Sequence, residues 1–303
     1  MIELTHLQRH LSELVPDIAL RFNEPLSEYT SFRIGGKAEV MAFPKSEEQL
    51  RNILIQSAIL DCKPAILGAG TNVLAPDEGV QGLVICLKDA FDGIELLDDN
   101  RIECMAGITM TRAAVYAANK GLSGMEFAHG IPGTVGGGVY MNAGAYGGEI
   151  CQICECVRVM DTKGNVRTLE NSELDFSYRH SALCHTEDVI ISAVFRLQPG
   201  NITEIRNKMK ELMAKRSASQ PLDKPSAGSV FKRPKGYYAA ALIDQAGLKG
   251  LRVGDAEVST KHAGFIINRG NATSDNVKEL IQQVSERVYN DFGVTLEPEI
   301  RIW

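Results

Sequence analysis

The chain has 303 residues, 44% of them hydrophobic and 23% charged, with a net charge of −6 from 32 basic and 38 acidic residues. At about 150 residues per domain, that length predicts two domains or three small ones, with enough chain to bury a core. The composition excludes disordered, collagen-like and coiled-coil chains, and the negative balance disfavours bulk nucleic-acid binding. Apolar stretches such as 189–195 fall far short of the roughly 20 residues that cross a bilayer. Residues 1–10 carry charge where a signal peptide needs a continuous apolar run, so a soluble, unexported chain without membrane contact is expected.

In chain order, 39–43 reads as a strand, and Ser46-Glu-Glu-Gln49 forms a capping box that opens an amphipathic helix to about residue 60. Short apolar strands at 65–67 and 83–87 complete a small α/β unit over 37–87. A strand at 101–105 precedes a helix at 109–119, closed by Gly121. A glycine-dense stretch runs from Gly121 to Gly148. The run 157–161, the turn 162–165 and the run 166–169 predict a hairpin, and 189–197 a buried strand. Pro199-Gly200 marks the best boundary. Beyond it, 202–216 is helical and 217–225 is a Ser/Pro-rich loop. A short helix at 237–246 ends at Gly247, and a strand follows at 265–268. The helix 274–292 stops at Gly293, and 299–302 is a closing strand. This alternation indicates α+β layers.

Charge is unevenly spread: from Arg206 to Lys261 there are twelve Lys and Arg against five Asp and Glu, or +7, leaving −13 for the rest. Part is a solvated helix bearing Lys208, Lys210, Lys215 and Arg216. The remainder (Lys224, Lys232, Arg233, Lys235, Lys249, Arg252) sits among Gly and Pro and suits a phosphorylated small molecule.

Seven cysteines are too few for a disulfide scaffold, and the odd number leaves one unpaired. Cys151-Gln-Ile-Cys154-Glu-Cys156 has a redox or zinc spacing, but no second pair completes a tetrahedral site. Strand alternation would turn Cys154 and Cys156 one way and Cys151 the other. Buried, reduced thiols and no metal are expected, and His129 and His262 read as satisfied core histidines.

Gly68-Ala-Gly70-Thr-Asn-Val73 follows a strand as a dinucleotide fingerprint would, but Pro76 prevents the helix and Val73 replaces the third Gly. Its backbone N–H groups can cradle an anion, although such a loop alone is more often a turn. The second Gly-rich stretch is stronger, with eight glycines between Gly130 and Gly148 interleaved with Ile, Val and Met. Glycine at that density lets backbone approach a large flat ligand, and cofactor contact outweighs a structural knot. Ser226-Ala-Gly-Ser229-Val-Phe-Lys232 mimics a penicillin-interacting S-x-x-K site, but Gly228, Val230 and Pro234 oppose the required helix. Ser229 beside Lys232 and Arg233 remains a candidate proton donor. Arg179, taken alone, is more commonly a surface pairing residue, and an isolated Glu299 a rim carboxylate.

Together these residues carry a resemblance. Tyr29-Thr-Ser-Phe-Arg-Ile-Gly-Gly36, Leu67-Gly-Ala-Gly-Thr-Asn-Val-Leu74, Gly130-Ile-Pro-Gly-Thr-Val-Gly-Gly137 and Met141-Asn-Ala-Gly-Ala-Tyr-Gly147 come first. Tyr178-Arg179, Ser226-Ala-Gly-Ser-Val-Phe231, Gly247-Leu-Lys-Gly250 and Leu296-Glu-Pro-Glu299 follow. In this order, from about residue 20 to the C-terminus, the chain resembles the UDP-N-acetylenolpyruvoylglucosamine reductase (MurB) family. The short span from Arg179 to Ser229 is similar to the family's second type, which lacks an inserted Tyr loop. Arg233 stands where first-type members carry Asn.

The resemblance implies an α+β chain with a PCMH/VAO-type FAD-binding fold of two subdomains, 1–87 and 88–200, plus a smaller α+β substrate-binding domain, 201–298. The last strand, 299–303, would return to the first subdomain. It implies non-covalent FAD, reduced by NADPH, and reduction of UDP-N-acetylenolpyruvoylglucosamine to UDP-N-acetylmuramate for peptidoglycan, in the cytoplasm and by a monomer. Flavin N5 would pass hydride to the enolpyruvyl methylene carbon. Arg179 and Glu299 would steady the enolate-like charge and Ser229 would deliver the proton. Arg33, Gly68, Gly70, Thr71, Asn72, Pro132, Gly133, Thr134, Gly137, Asn142, Gly144 and Gly147 would hold FAD. Tyr178, Lys232, Arg233 and Arg301 would hold substrate. The rival readings are another FAD-dependent oxidoreductase of the same fold and a catalytically idle nucleotide-binding protein.

Overall fold

The computed structural model describes residues 4–303; residues 1–3 of the charged N-terminal stretch and of the expected first subdomain lie outside the described residues. The chain forms two compact units. Unit 1 comprises residues 1–24, 38–69 and 81–214, and unit 2 comprises 25–37, 70–80 and 215–303.

Thr5 opens α1 (His6–Leu14) with a capping box to Gln8, a T-x-x-Q signal in the sequence. The strands β1 (Ala19–Pro25) and β2 (Lys37–Phe43) follow. Ser46 caps α2 (Glu47–Ile59) by accepting from the Gln49 N–H, as expected, but the box is half made. The Gln49 carboxamide oxygen accepts instead from the Lys45 N–H at 2.7 Å, and its nitrogen donates to the Asp17 carbonyl. Next come β3 (Ala65–Leu67), the two-residue β4 (Val73–Leu74) and β5 (Val80–Cys86). One sheet of unit 1 has the order β1-β2-β5-β3, with β3 parallel to β5. The run Leu83–Cys86 is buried throughout, which fits a strand beside a parallel neighbour and covered on both faces.

The second sheet of unit 1 begins with β6 (Ile94–Leu96) and β7 (Arg101–Met105). Thr109 caps α3 (Met110–Asn119), and the chain leaves it through Gly121 at φ +69°. A short ribbon pairs β8 (Leu122–Ser123) with the later β14 (Gln198–Pro199). Inside the glycine-dense stretch lies a helix that propensity argues against: α4 (Val135–Tyr140), Val-Gly-Gly-Gly-Val-Tyr. Tertiary packing imposes it. A Cβ on Gly136 would meet the Ala106 Cβ at 3.0 Å, and one on Gly138 the Met110 sulfur at 2.8 Å, so a larger residue would force these neighbours to shift.

The chain then makes a tight hairpin of β9 (Gly144–Ala145) and β10 (Gly148–Glu149) around Tyr146 and Gly147, both at positive φ. The expected hairpin of β11 (Cys154–Met160) and β12 (Val166–Glu170) is present, and β13 (Val189–Arg196) is buried along seven of its eight residues. The sheet order is β12-β11-β13-β7-β6, antiparallel throughout. The expectation that Cys154 and Cys156 share a face is overturned by a register shift between them against β13. The extra residue turns Cys154 into the core and leaves Cys156 half-buried near Glu170 and Glu155.

The helix α5 (Ile202–Ser219) runs past the expected end, and the unit boundary falls within it. In unit 2, α6 (Ala239–Gln245) precedes the antiparallel sheet of β15 (Arg252–Val253), β16 (Ala256–Val258) and β17 (Ile266–Asn268). The long α7 (Ser274–Phe292) buries Val277, Leu280, Ile281, Val284 and Val288 in the core of this unit. The closing strand β18 (Arg301–Ile302) pairs in parallel with β4. It is shorter than expected and not regular: Ile300 is 4% exposed and Ile302 45%. The chain bends there because the Glu299 N–H donates to the Val230 carbonyl while the Arg301 N–H donates to that of Asn72.

Candidate active site

In unit 1, the sequence-expected residues Gly68, Pro132, Gly133, Thr134, Gly137, Asn142, Gly144 and Gly147 come from the Gly-rich stretch and the end of β3, and Tyr178 and Arg179 from a turn. Gly68 passes so close to Thr134 that a Cβ would collide with its hydroxyl. The first-turn N–H groups of α4 are committed to protein oxygens: Val135 to Ile108, Gly136 to Ala106 and Gly137 to the Thr134 hydroxyl. What the stretch leaves open is bare backbone. Gly147 has no atom within 4 Å of where a Cβ would stand, and Gly137 has only the Thr134 hydroxyl at 3.5 Å. That side-chain-free surface fits a flat ring system approached by backbone, as a flavin needs.

Tyr178 and Arg179 form a two-residue turn, closed by Ser177 and His180 exchanging backbone hydrogen bonds of 3.1 and 3.2 Å. Arg179 has φ +56°, a left-handed conformation that a residue with a Cβ rarely adopts. Its guanidinium donates to the Gly144 carbonyl at 3.2 Å and lies 5.0 Å from the Tyr178 ring centroid. Asn142, 1% exposed, donates from Nδ2 to the Ser177 carbonyl. The sequence assigns Asn142 to the FAD-holding set and gives no sign of this link to the turn that carries Arg179.

In unit 2, Tyr29–Gly36 and the loop from Gly70 pack backbone to backbone. A Cβ on Gly70 would collide with the Tyr29 carbonyl, and one on Gly36 with that of Asp77, so glycine is required at both. Thr30 fixes the first segment by donating to the Ile34 carbonyl at 2.9 Å, and Arg33 sits at φ +56°. Asn72 donates from its side chain to the Glu299 carbonyl at 3.2 Å and accepts from the Arg301 N–H at 2.8 Å. Thr71, between Gly70 and Asn72, belongs to the same loop.

The backbone segments that carry Ser229 and Glu299 run side by side in this unit, the Glu299 N–H donating to the Val230 carbonyl. Ser229 is bridged to Phe265, and Phe231 to Pro298, so the chain at Glu299 lies alongside the segment that carries Ser229. No helix forms at Ser229, as the reading of Gly228 and Pro234 expected; Gly228 has φ +77° and open space around it. The Ser229 hydroxyl donates only weakly, to the Phe231 carbonyl at 3.4 Å. Lys232 pairs with Glu297 at 3.4 Å, and the Arg233 guanidinium stands 3.9 Å from the Tyr238 ring centroid. Part of the expected positive field is therefore spent inside the unit, since Lys249 pairs with Asp244 and Arg252 with the buried Glu257.

The remaining titratable groups have quieter roles. Burial pushes the Cys86 thiol up to about 11 and those of Cys104 and Cys154 up to about 12. Burial also raises Cys62, Cys151 and Cys156, so these thiols stay protonated. All seven cysteines are free, but Cys62, Cys151, Cys156 and Cys184 are only half-buried, which corrects the expectation of burial throughout. His262 is held below its usual range, first by burial, and its Nδ1 accepts from the Gly264 N–H. His129 departs from the satisfied-core reading, because its buried Nδ1 has no hydrogen-bond partner among the described residues. Among the described residues, no three His, Cys, Asp or Glu are grouped to hold a metal, and no helix is long and apolar enough to cross a membrane.

Known proteins resemble the chain over most of its length. A family model for the C-terminal domain of UDP-N-acetylenolpyruvoylglucosamine reductase matches residues 220–303, and a model for a FAD binding domain matches 38–170. A UDP-N-acetylenolpyruvoylglucosamine reductase of Lactococcus lactis subsp. cremoris is 44% identical over 96% of both chains. The one from Pseudothermotoga lettingae is 47% identical over 94% of this chain and 98% of its own. The crystal structure of UDP-N-acetylenolpyruvylglucosamine reductase (MurB) from Thermus caldophilus superposes with a TM-score of 0.80 at 35% identity, covering 94% of this chain and 98% of that one.

Proposed function

The chain belongs to the UDP-N-acetylenolpyruvoylglucosamine reductase family, and from that premise we infer that it reduces UDP-N-acetylenolpyruvoylglucosamine to UDP-N-acetylmuramate, a step of peptidoglycan precursor synthesis. The observation that carries the reading is near full-length identity of 44% to such a reductase. FAD is the bound cofactor and NADPH the reductant; the flavin supplies hydride transfer, from NADPH to the enolpyruvyl double bond.

In this reading Arg33, Gly68, Gly70, Thr71, Asn72, Pro132, Gly133, Thr134, Gly137, Asn142, Gly144 and Gly147 hold FAD. Residues 1–87 and 88–200 supply the two subdomains of the FAD-binding half, of PCMH/VAO type, and 201–298 the substrate domain. Arg179 and Glu299 steady the charge that develops on the carboxylate-bearing carbon, and the Ser229 hydroxyl gives that carbon its proton. The weak hydrogen bond of Ser229 supports its role, because a hydroxyl bound tightly to a carbonyl would have to break that bond first. Tyr178, Lys232, Arg233 and Arg301 bind the sugar nucleotide. The enzyme works as a cytoplasmic monomer without nucleic-acid or membrane partners.

The purified protein is expected to show a flavin spectrum, bleached by NADPH and restored by the enolpyruvyl sugar nucleotide. Stopped-flow absorbance of Ser229→Ala should retain flavin reduction by NADPH and slow reoxidation by substrate roughly 10²–10⁴-fold. Equal loss in both half-reactions removes Ser229 from proton donation.

A further inference from the structure

We propose that Asn142 is a positioning residue for Arg179, holding the turn that presents its guanidinium. The proposal rests on the reading of Arg179 as the group that steadies charge on the substrate. The Asn142 amide is fully engaged within unit 1. Nδ2 donates to the Ser177 carbonyl at 2.9 Å and to Glu149 Oε2 at 3.1 Å, and Oδ1 accepts from the Cys151 N–H at 2.9 Å. Both amide donors are used, and the residue is 1% exposed, so losing any of these bonds would leave part of its own buried amide unpaired.

The Ser177 carbonyl is the base of the Tyr178–Arg179 turn and accepts from the His180 N–H as well as from Asn142. Arg179 is left-handed at φ +56°, a state that persists only where the surroundings over-determine it. The other end of Arg179 is tied to the same stretch of chain. Its guanidinium donates to the Gly144 carbonyl, and Gly144 is paired in the hairpin with Glu149, the second acceptor of Asn142. A Cβ at Gly144 would meet the Glu149 Cγ at 2.6 Å, so the hairpin keeps glycine there and brings Glu149 within reach. Backbone and head group of Arg179 are thus referenced to one scaffold, with Asn142 joining the two. Asparagine suits the position twice over: it tolerates its own φ of +41°, and it offers two donors and an acceptor from a short side chain.

The test uses flavin-loaded enzyme with Asn142→Gly, which keeps the left-handed backbone and removes all three bonds, and Asn142→Asp, which keeps the acceptor and loses both donors. The first readout is the ¹⁵N relaxation of the Arg179 Nε–H signal, assigned by its loss in Arg179→Ala. It should report an ordered guanidinium in the parent and a mobile one in both variants. The second is the rate of flavin reoxidation by substrate in the parent and Arg179→Ala backgrounds. The Asn142 substitutions should slow it roughly 10- to 100-fold in the parent and less than about twofold without Arg179. An unchanged Arg179 signal, or equal loss in both backgrounds, overturns the positioning role. If Arg179→Ala alone leaves reoxidation intact, the reading of Arg179 fails instead. Should Asn142→Gly not fold, Asn142→Asp carries both measurements.

Discussion

At Arg179, backbone conformation and proposed chemistry pull in different directions. A left-handed residue with a Cβ costs about 1 kcal/mol or more, and glycine would relieve it. Arginine at φ +56° is therefore retained for its side chain. Arg179→Gly and Arg179→Ala remove the same guanidinium but differ in strain, so the Gly variant should be more stable by about 1 kcal/mol. Both should slow flavin reoxidation by substrate alike. Urea unfolding midpoints set beside single-turnover rates give the comparison. If the Ala variant is as stable as the Gly variant, the turn relaxes freely and stores no strain. The identity of Arg179 and Tyr178 was legible in the sequence as part of an ordered set of motifs. The positive φ was not, because nothing in Phe-Ser-Tyr-Arg-His marks a left-handed position as Gly or Asn would.

Among the elements, legibility followed local signals. The helix over Ser274–Phe292 was readable to the residue because Thr273 caps it and Gly293 ends it in the left-handed region. The helix over Val135–Tyr140 was not, since three consecutive glycines argue against a helix and only contacts with Ala106 and Met110, remote in sequence, favour glycine at two of them, Gly136 and Gly138. The bulge between Cys154 and Cys156 is likewise set by the strand opposite, which no local pattern reports. Gly137 separates the packing glycines from the rest. Unlike Gly136 and Gly138 it is exposed and has room for a Cβ. Gly137→Ala should stabilise flavin-free protein by up to about 1 kcal/mol through helix propensity. If bare backbone is kept there for the isoalloxazine, the same change should lower the flavin-to-protein ratio after purification. A variant that keeps full flavin and gains stability would show that Gly137 is not needed for cofactor approach, which the absorbance ratio and a thermal melt decide together.

Across the molecule, charge is divided between the units. Unit 2 carries fifteen Lys and Arg against thirteen Asp and Glu, or +2, leaving −8 for unit 1. The substrate is anionic through a diphosphate and a carboxylate, so the unit assigned to bind it is the one whose balance does not repel it. The internal pairs of Lys232, Lys249 and Arg252 weaken that field at long range, because each cation has a carboxylate within 3.4 Å. Attraction should therefore act mainly over the last few ångströms of approach, where charges on the sugar nucleotide meet individual guanidinium and ammonium groups. Raising salt from 0.05 to 0.5 M shortens the screening length from about 14 Å to about 4 Å. The second-order rate of flavin reoxidation by the sugar nucleotide should fall several-fold over that range, while the rate at saturating substrate stays within about twofold. Neutralising Lys235, a cation outside the proposed substrate set, should reproduce little of the drop, and Arg233→Gln a larger share. A salt-independent second-order rate would mean that recognition depends on contacts other than charge, and the assignment of Lys232, Arg233 and Arg301 to the diphosphate sugar would have to be withdrawn.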